Sequence, residues 1–226
     1  MAALAAMALL ARIKEDYVPA AHPAGRRWFP SGVLAPGLAI GFVNVHYPVV
    51  AGFLILHLAR HGNSGPAAFT AYALLILLSR FFLGGLPDRI RPSITFYGGL
   101  VSMFAGLLWL AAGPSPVAAV AAAALLGFGL SFPWASVAST VLRRTASGER
   151  GSALGLLTAC YDLFVGVSSV AAGAVSAKFG YSAAFFMAAV AIVAAAVAGR
   201  YVFMTAGRQA APRLAGVGAD AGVAEG

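Results

Sequence analysis

Charge is scarce in this chain. Only 10% of its 226 residues are Asp, Glu, Lys or Arg, against about 25% in a typical soluble domain, so a water-facing shell around a core is excluded. Acids are the scarcer sign, with 7 Asp and Glu against 15 Lys and Arg. The basic residues fall in short clusters between apolar runs and do not line one face of a polar domain, which excludes a nucleic-acid surface. Cysteine is represented by Cys160 alone, so a disulfide framework and Cys/His metal spacings are excluded, and no cofactor is implied. Three chemical signatures are also missing: the G-x-S-x-G nucleophile turn, H-E-x-x-H and the phosphate-binding G-x-x-x-x-G-K. Their absence argues against an enzyme. Apolar and polar residues never alternate with period two over a span-length stretch, which argues against barrel strands.

What is present is apolar length. Hydrophobic residues make up 61% of the chain and mean hydropathy is +0.87. A bilayer core of about 30 Å takes about 20 apolar residues as a helix, and six stretches qualify: 33–59, 66–86, 93–113, 117–142, 152–177 and 181–204. The expectation is an all-α, polytopic membrane protein with six transmembrane helices in a lipid bilayer. If each stretch crosses once, Arg26, Arg27, Arg89, Arg91, Arg143, Arg144, Arg150, Arg200, Arg208 and Arg213 share one side. Only Arg60 and Lys178 fall on the other, so the positive-inside rule places both termini in the cytoplasm. In domains, 1–32 reads as a helix remnant and cytoplasmic linker, because the eleven apolar residues MAALAAMALLA are too short to cross. The bundle occupies 33–205, and the Ala- and Gly-rich 206–226 reads as a disordered cytoplasmic tail.

The turn between the second and third stretches, SRFFLGGLPDRIRP, carries Gly84, Leu86, Asp88 and Arg89 in a pattern that resembles the G-x-L-x-D-R-x-G-R loop of the major facilitator superfamily of secondary transporters. Arg91 stands where that loop has its second glycine, and Pro92 where it has a basic residue. Residues 125–144 and 149–181 likewise resemble the fourth and fifth helices of the second half of sugar-efflux and drug-efflux members. That resemblance implies a carboxy-terminal six-helix half, an inner or plasma membrane location and transport of a small-molecule substrate, with protons as the coupling ion and an antiporter-type efflux cycle. It also implies that Gly84, Asp88, Arg89 and Arg91 form a conformational gate loop. Alternating access takes two bundles around a midplane site, so a homodimer or a separate amino-terminal half is the expected partner. The alternative is a non-transporting membrane fragment or scaffold subunit.

Polar residues inside the apolar stretches supply the remaining candidates, because a charge at the bilayer centre costs about 2.5–3.5 kcal/mol on insertion scales and is seldom kept without a use. Asp162, beside Tyr161, is the acid deep within a stretch, and is expected to face a cavity as substrate contact or proton carrier. Asn44, His46 and Tyr47 cluster just before Pro48, whose ring removes a backbone hydrogen bond and kinks or unwinds a helix, and with Asp162 and Tyr161 they are the residues expected on the substrate or proton pathway. Asn44 and His46 are two apart and do not share a face, so at most one of them points squarely into a cavity. Arg80 reads as a residue snorkelling to the interface, and Tyr72, Trp134 and Ser136 as packing or interfacial groups. The glycines at 127, 129, 151, 155, 166 and 173 read as close-packing positions.

Overall fold

The computed structural model describes residues 32–220, with side chains described through Met204 except at Pro87 and Asp88. Most of the 1–32 linker, the end of the tail and the Asp88 side chain therefore lie outside the described residues. Six helical segments are long and apolar enough to cross a membrane: Leu34–Arg60, Gly65–Leu83, Pro92–Ala111, Pro116–Arg144, Ser147–Phe179 and Tyr181–Met204. They match the six expected stretches within a few residues. No strand occurs among the described residues.

Proline punctuates the helices. Pro66, Pro92, Pro116 and Pro133 each stand in the first two positions of a helix, where a missing N–H costs nothing and the fixed φ is already helical. Two spans are broken by the same chemistry. The first divides into Leu34–Asn44 and His46–Arg60, because Pro48 has no N–H to give the Asn44 carbonyl; Val45 N–H tightens onto the Phe42 carbonyl at 3.3 Å instead. The fourth divides into Pro116–Leu130 and Pro133–Arg144, a break at Pro133. The sixth helix continues to Asp220, past residue 205, where composition suggests a disordered tail.

Packing is closest between the third and fourth spans, where glycine lets backbones meet. A Cβ on Gly99 would stand 2.7 Å from the Gly129 carbonyl oxygen, and one on Gly129 would stand 2.5 Å from the Gly99 oxygen and 2.8 Å from the Met103 nitrogen. Gly106 repeats the device one turn pair along, at 2.8 Å from the Ala122 oxygen. Gly127 meets the backbone of Tyr72 in the second span. Without a hydrophobic force between helices in lipid, such approaches are the main source of helix–helix attraction. Around this seam lie the largest fully buried apolar side chains, among them Phe96, Met103, Leu107, Leu126 and Phe185.

Polar links tie the spans where backbone carbonyls come free. Thr95 and Ser136 hydroxyls stand 2.8 Å apart, and Tyr97 donates to the Ala196 carbonyl at 3.2 Å. His57 Nε2 donates to the Leu110 carbonyl at 2.8 Å, and Asn63 to the Pro114 carbonyl at 2.6 Å. The Arg60 guanidinium lies 4.4 Å from the Tyr181 ring centroid, a cation–π contact between the first and sixth spans. At the opposite, arginine-rich end, Arg144 donates to the Val202 carbonyl at 2.9 Å. The short helix Leu86–Arg89 packs there against the end of the fourth span.

Candidate functional site

The second and fifth spans are not among the closely packed pairs, and the space between them is a cleft of about 720 Å³. That volume lies in the usual range for small-molecule sites. The cleft is walled by four spans. The second contributes Tyr72, Ile76, Ser79, Arg80, Leu83 and Gly84, a stripe at helical spacing. The fifth contributes Thr158, Tyr161 and Asp162; the first contributes Val43, Asn44 and Tyr47; the fourth contributes Leu130 to Phe132, Trp134 and Ala135. The third and sixth spans contribute nothing to it. The wall residues from the first and fourth spans sit at the two proline breaks, so one chemical feature shapes both.

Four of the five residues singled out for a pathway meet in this cleft: Asn44, Tyr47, Tyr161 and Asp162. Asp162 and Arg80 are both exposed to it. Asn44 is buried, its amide donating to the Ile40 carbonyl at 2.8 Å. Tyr47 is half exposed at 47%, and the Tyr161 ring lies edge-on to Trp134 with centroids 6.3 Å apart.

His46 does not reach the cleft. It is fully buried behind Tyr72, with Nδ1 2.6 Å from the Val43 carbonyl and Nε2 3.3 Å from the Tyr72 hydroxyl. A carbonyl only accepts, so Nδ1 carries the proton and the Tyr72 hydroxyl donates to Nε2. The imidazole thus bonds the Val43 carbonyl beside the break and the hydroxyl of a tyrosine that does line the cleft. Of the loop residues, Gly84 lines the arginine-rich mouth of the cleft, while Arg89 and Arg91 are exposed on the turn. Among the described residues, neither arginine forms an ion pair with Glu149.

Arg80, Tyr72 and Trp134 are the cleft residues that sequence reasoning set aside. A signal was present: Tyr72, Ile76, Ser79 and Arg80 recur at intervals of four and three, which puts a phenol, a hydroxyl and a guanidinium on one helical face. Ser136, by contrast, is buried away from the cleft, donating to the Phe132 carbonyl at 2.9 Å. Among the glycines, 127 and 129 are close-packed as expected. Gly151, Gly155, Gly166 and Gly173 have nothing within 4 Å of a Cβ position, because the face of the fifth span that carries them is turned away from this bundle.

Comparison with known proteins agrees with this architecture. The chain matches the family model described as Major Facilitator Superfamily over residues 37–224. It is 34% identical over 195 residues to an uncharacterized MFS-type transporter of Burkholderia mallei, covering 84% of this chain and 46% of that protein. It is 31% identical over 167 residues to an uncharacterized MFS-type transporter of Salmonella typhimurium, covering 73% and 43%. The chain thus spans about half the length of these curated relatives. Among solved structures, a peptide transporter POT mutant in complex with sulfate superposes with a TM-score of 0.67 at 21% identity, covering 87% of this chain and 46% of that one. The same mutant in complex with alafosfalin gives 0.64 at 22% identity, covering 76% and 39%. With six spans, a cleft walled by four of them and a family match over most of its length, this multi-pass membrane chain belongs to the major facilitator superfamily.

Proposed function

We propose that this chain is one six-helix half of a secondary transporter of the sugar or drug efflux type, moving a small molecule in exchange for protons. The observation that carries the reading is the cleft at the proline breaks, which brings Asp162, Tyr161, Asn44 and Tyr47 from two spans into one lining. Asp162 is the substrate- or proton-binding group. About 18 Å of helix rise separates it from Arg150 at the start of its helix, a depth suited to a midplane site. His46 acts through Tyr72, holding the phenol in place. The 84–91 turn, with Gly84, Asp88, Arg89 and Arg91, is the conformational gate loop at the cytoplasmic mouth. Both termini lie in the cytoplasm by the positive-inside rule, and the membrane is the cell's inner or plasma membrane. The bundle proper is 33–205, preceded by a linker.

A second bundle completes the path, either from a second copy or from a separate chain. A subunit that does not transport until it meets such a partner is the second reading, favoured by the exposure of Arg80 and Asp162 on the surface of this bundle.

The test is flux in inverted membrane vesicles, energised by respiration and containing the full chain, with labelled arabinose, labelled leucine and ethidium as probes. Proton-driven accumulation of one of these, abolished by Asp162→Asn at unchanged protein level, is expected. Accumulation that persists in the variant removes Asp162 from the coupling. Size measurement in mild detergent decides the partner, since a clean monomer that nevertheless transports would exclude the two-copy arrangement.

A further inference from the structure

We propose that the cleft selects a small zwitterion, with Arg80 receiving the substrate's anionic group and Asp162 its cationic group; this rests on reading the cleft as the transport site. Arg80 and Asp162 project from opposite walls, the second and fifth spans, into the same space. Among the described residues neither is ion-paired to another side chain. Tyr161 lines the cleft next to Asp162 on the fifth span, and Tyr72 lines it about two turns from Arg80 on the second. Val43, Ile76 and Leu130 add apolar lining to the same cleft, beside the polar Asn44, Ser79 and Thr158.

The selection follows from charge balance. One cation and one anion make the cleft neutral overall, so a ligand of net charge leaves one of them without a counter-ion in an apolar setting. A neutral polar ligand leaves both unmatched. A ligand with one charge of each sign and an apolar body satisfies both ends at once. A guanidinium also offers paired donors that fit a carboxylate in two-point fashion, which an ammonium does not.

Four leucine derivatives separate the possibilities: L-leucine as zwitterion, L-leucinamide as cation, N-acetyl-L-leucine as anion and N-acetyl-L-leucinamide as neutral body. Trp134 is the reporter, since it lines the cleft beside Tyr161; replacing Trp28 and Trp109 by phenylalanine leaves it as the single tryptophan. Titrations use the full chain in lipid nanodiscs. Leucine is expected to quench Trp134 at the lowest concentration, with each single-charge derivative weaker by about two- to fivefold, the effect of losing one exposed charge pair. Arg80→Gln should bring leucine and leucinamide to parity, Asp162→Asn should do so for leucine and N-acetyl-leucine, and Arg80→Lys should weaken leucine while keeping the order of the four probes.

N-acetyl-leucinamide binding as tightly as leucine would overturn the zwitterion proposal and leave the cleft standing as a binding site. Failure of all four probes to alter Trp134 emission would likewise overturn the zwitterion proposal, while Asp162-dependent flux of arabinose or ethidium would leave the cleft standing as the transport site. The comparison of probes on the unsubstituted pair Arg80 and Asp162 needs no variant at either position, so it stands even if Arg80→Gln does not fold.

Discussion

Two regions of this bundle use glycine-rich helices in opposite ways. Along the seam of the third and fourth spans, Gly99, Gly106 and Gly129 each stand under 3 Å, measured from a notional Cβ, from a neighbouring backbone atom. Along the fifth span, Gly151, Gly155, Gly166 and Gly173 meet nothing within 4 Å. The seam is a close contact whose geometry is set by main chain against main chain, whereas these glycines of the fifth span face open space. Small residues therefore mark close approach only when a neighbour is present to approach, and within this chain one stretch has that neighbour and the other does not.

The comparison breaks most sharply at Gly129. Alanine there places a carbon against the Gly99 oxygen and the Met103 nitrogen, and backbone cannot swing aside as a side chain does. Overpacking of this kind costs about 1–3 kcal/mol, so Gly129→Ala should lower the midpoint of unfolding in mixed detergent micelles by the largest margin among the substitutions considered. A change below about 0.5 kcal/mol would mean the seam has room to part, and the distinction between the two regions would fail.

Next in size is His57, buried near the far end of the seam and donating to the Leu110 carbonyl. His57→Leu keeps the bulk and strands that carbonyl, at a cost of about 1–2 kcal/mol in a membrane setting. Stability equal to the parent would show that the carbonyl finds water instead. Thr95→Val probes the same kind of link where Thr95 and Ser136 hydroxyls face each other at 2.8 Å. Interhelical hydrogen bonds in bilayers average about 0.6 kcal/mol, and loss of that order is expected, read from the same unfolding curve.

The six spans were legible because crossing a bilayer imposes a length that composition alone reports, and Pro48 announced its own break. The cleft was half legible. Asp162, Tyr161, Asn44 and Tyr47 stood out as polar groups in apolar surroundings, which a membrane chain seldom keeps without a use. His46 met the same criterion and is buried, because the Val43 carbonyl and a tyrosine hydroxyl on another helix satisfy it. That tertiary partner lies 26 residues away and leaves no local trace. Arg80 was set aside for the converse reason: near a helix end, snorkelling and cleft-lining predict the same sequence, and only the angular position relative to Tyr72 separates them. The open glycines of the fifth span failed for want of a neighbour, which composition does not supply.

The smallest expected effect sharpens the comparison from the other side. Gly155→Ala puts a methyl group where nothing lies within 4 Å, in the second turn of a helix of 30 residues, where alanine is the better helix former by about 1 kcal/mol. In this chain by itself the substitution should leave stability unchanged or raise it by up to that amount. The same unfolding measurement, repeated with any bundle that seats against the fifth span, carries the discrimination: a methyl group tolerated in the free chain but costly in the assembly identifies the stripe as a contact face. A substitution neutral in both states would place the glycines in the cleft's open wall, facing solvent or substrate, and would make Asp162 rather than its small neighbours the feature that keeps this face of the helix turned away from the bundle core.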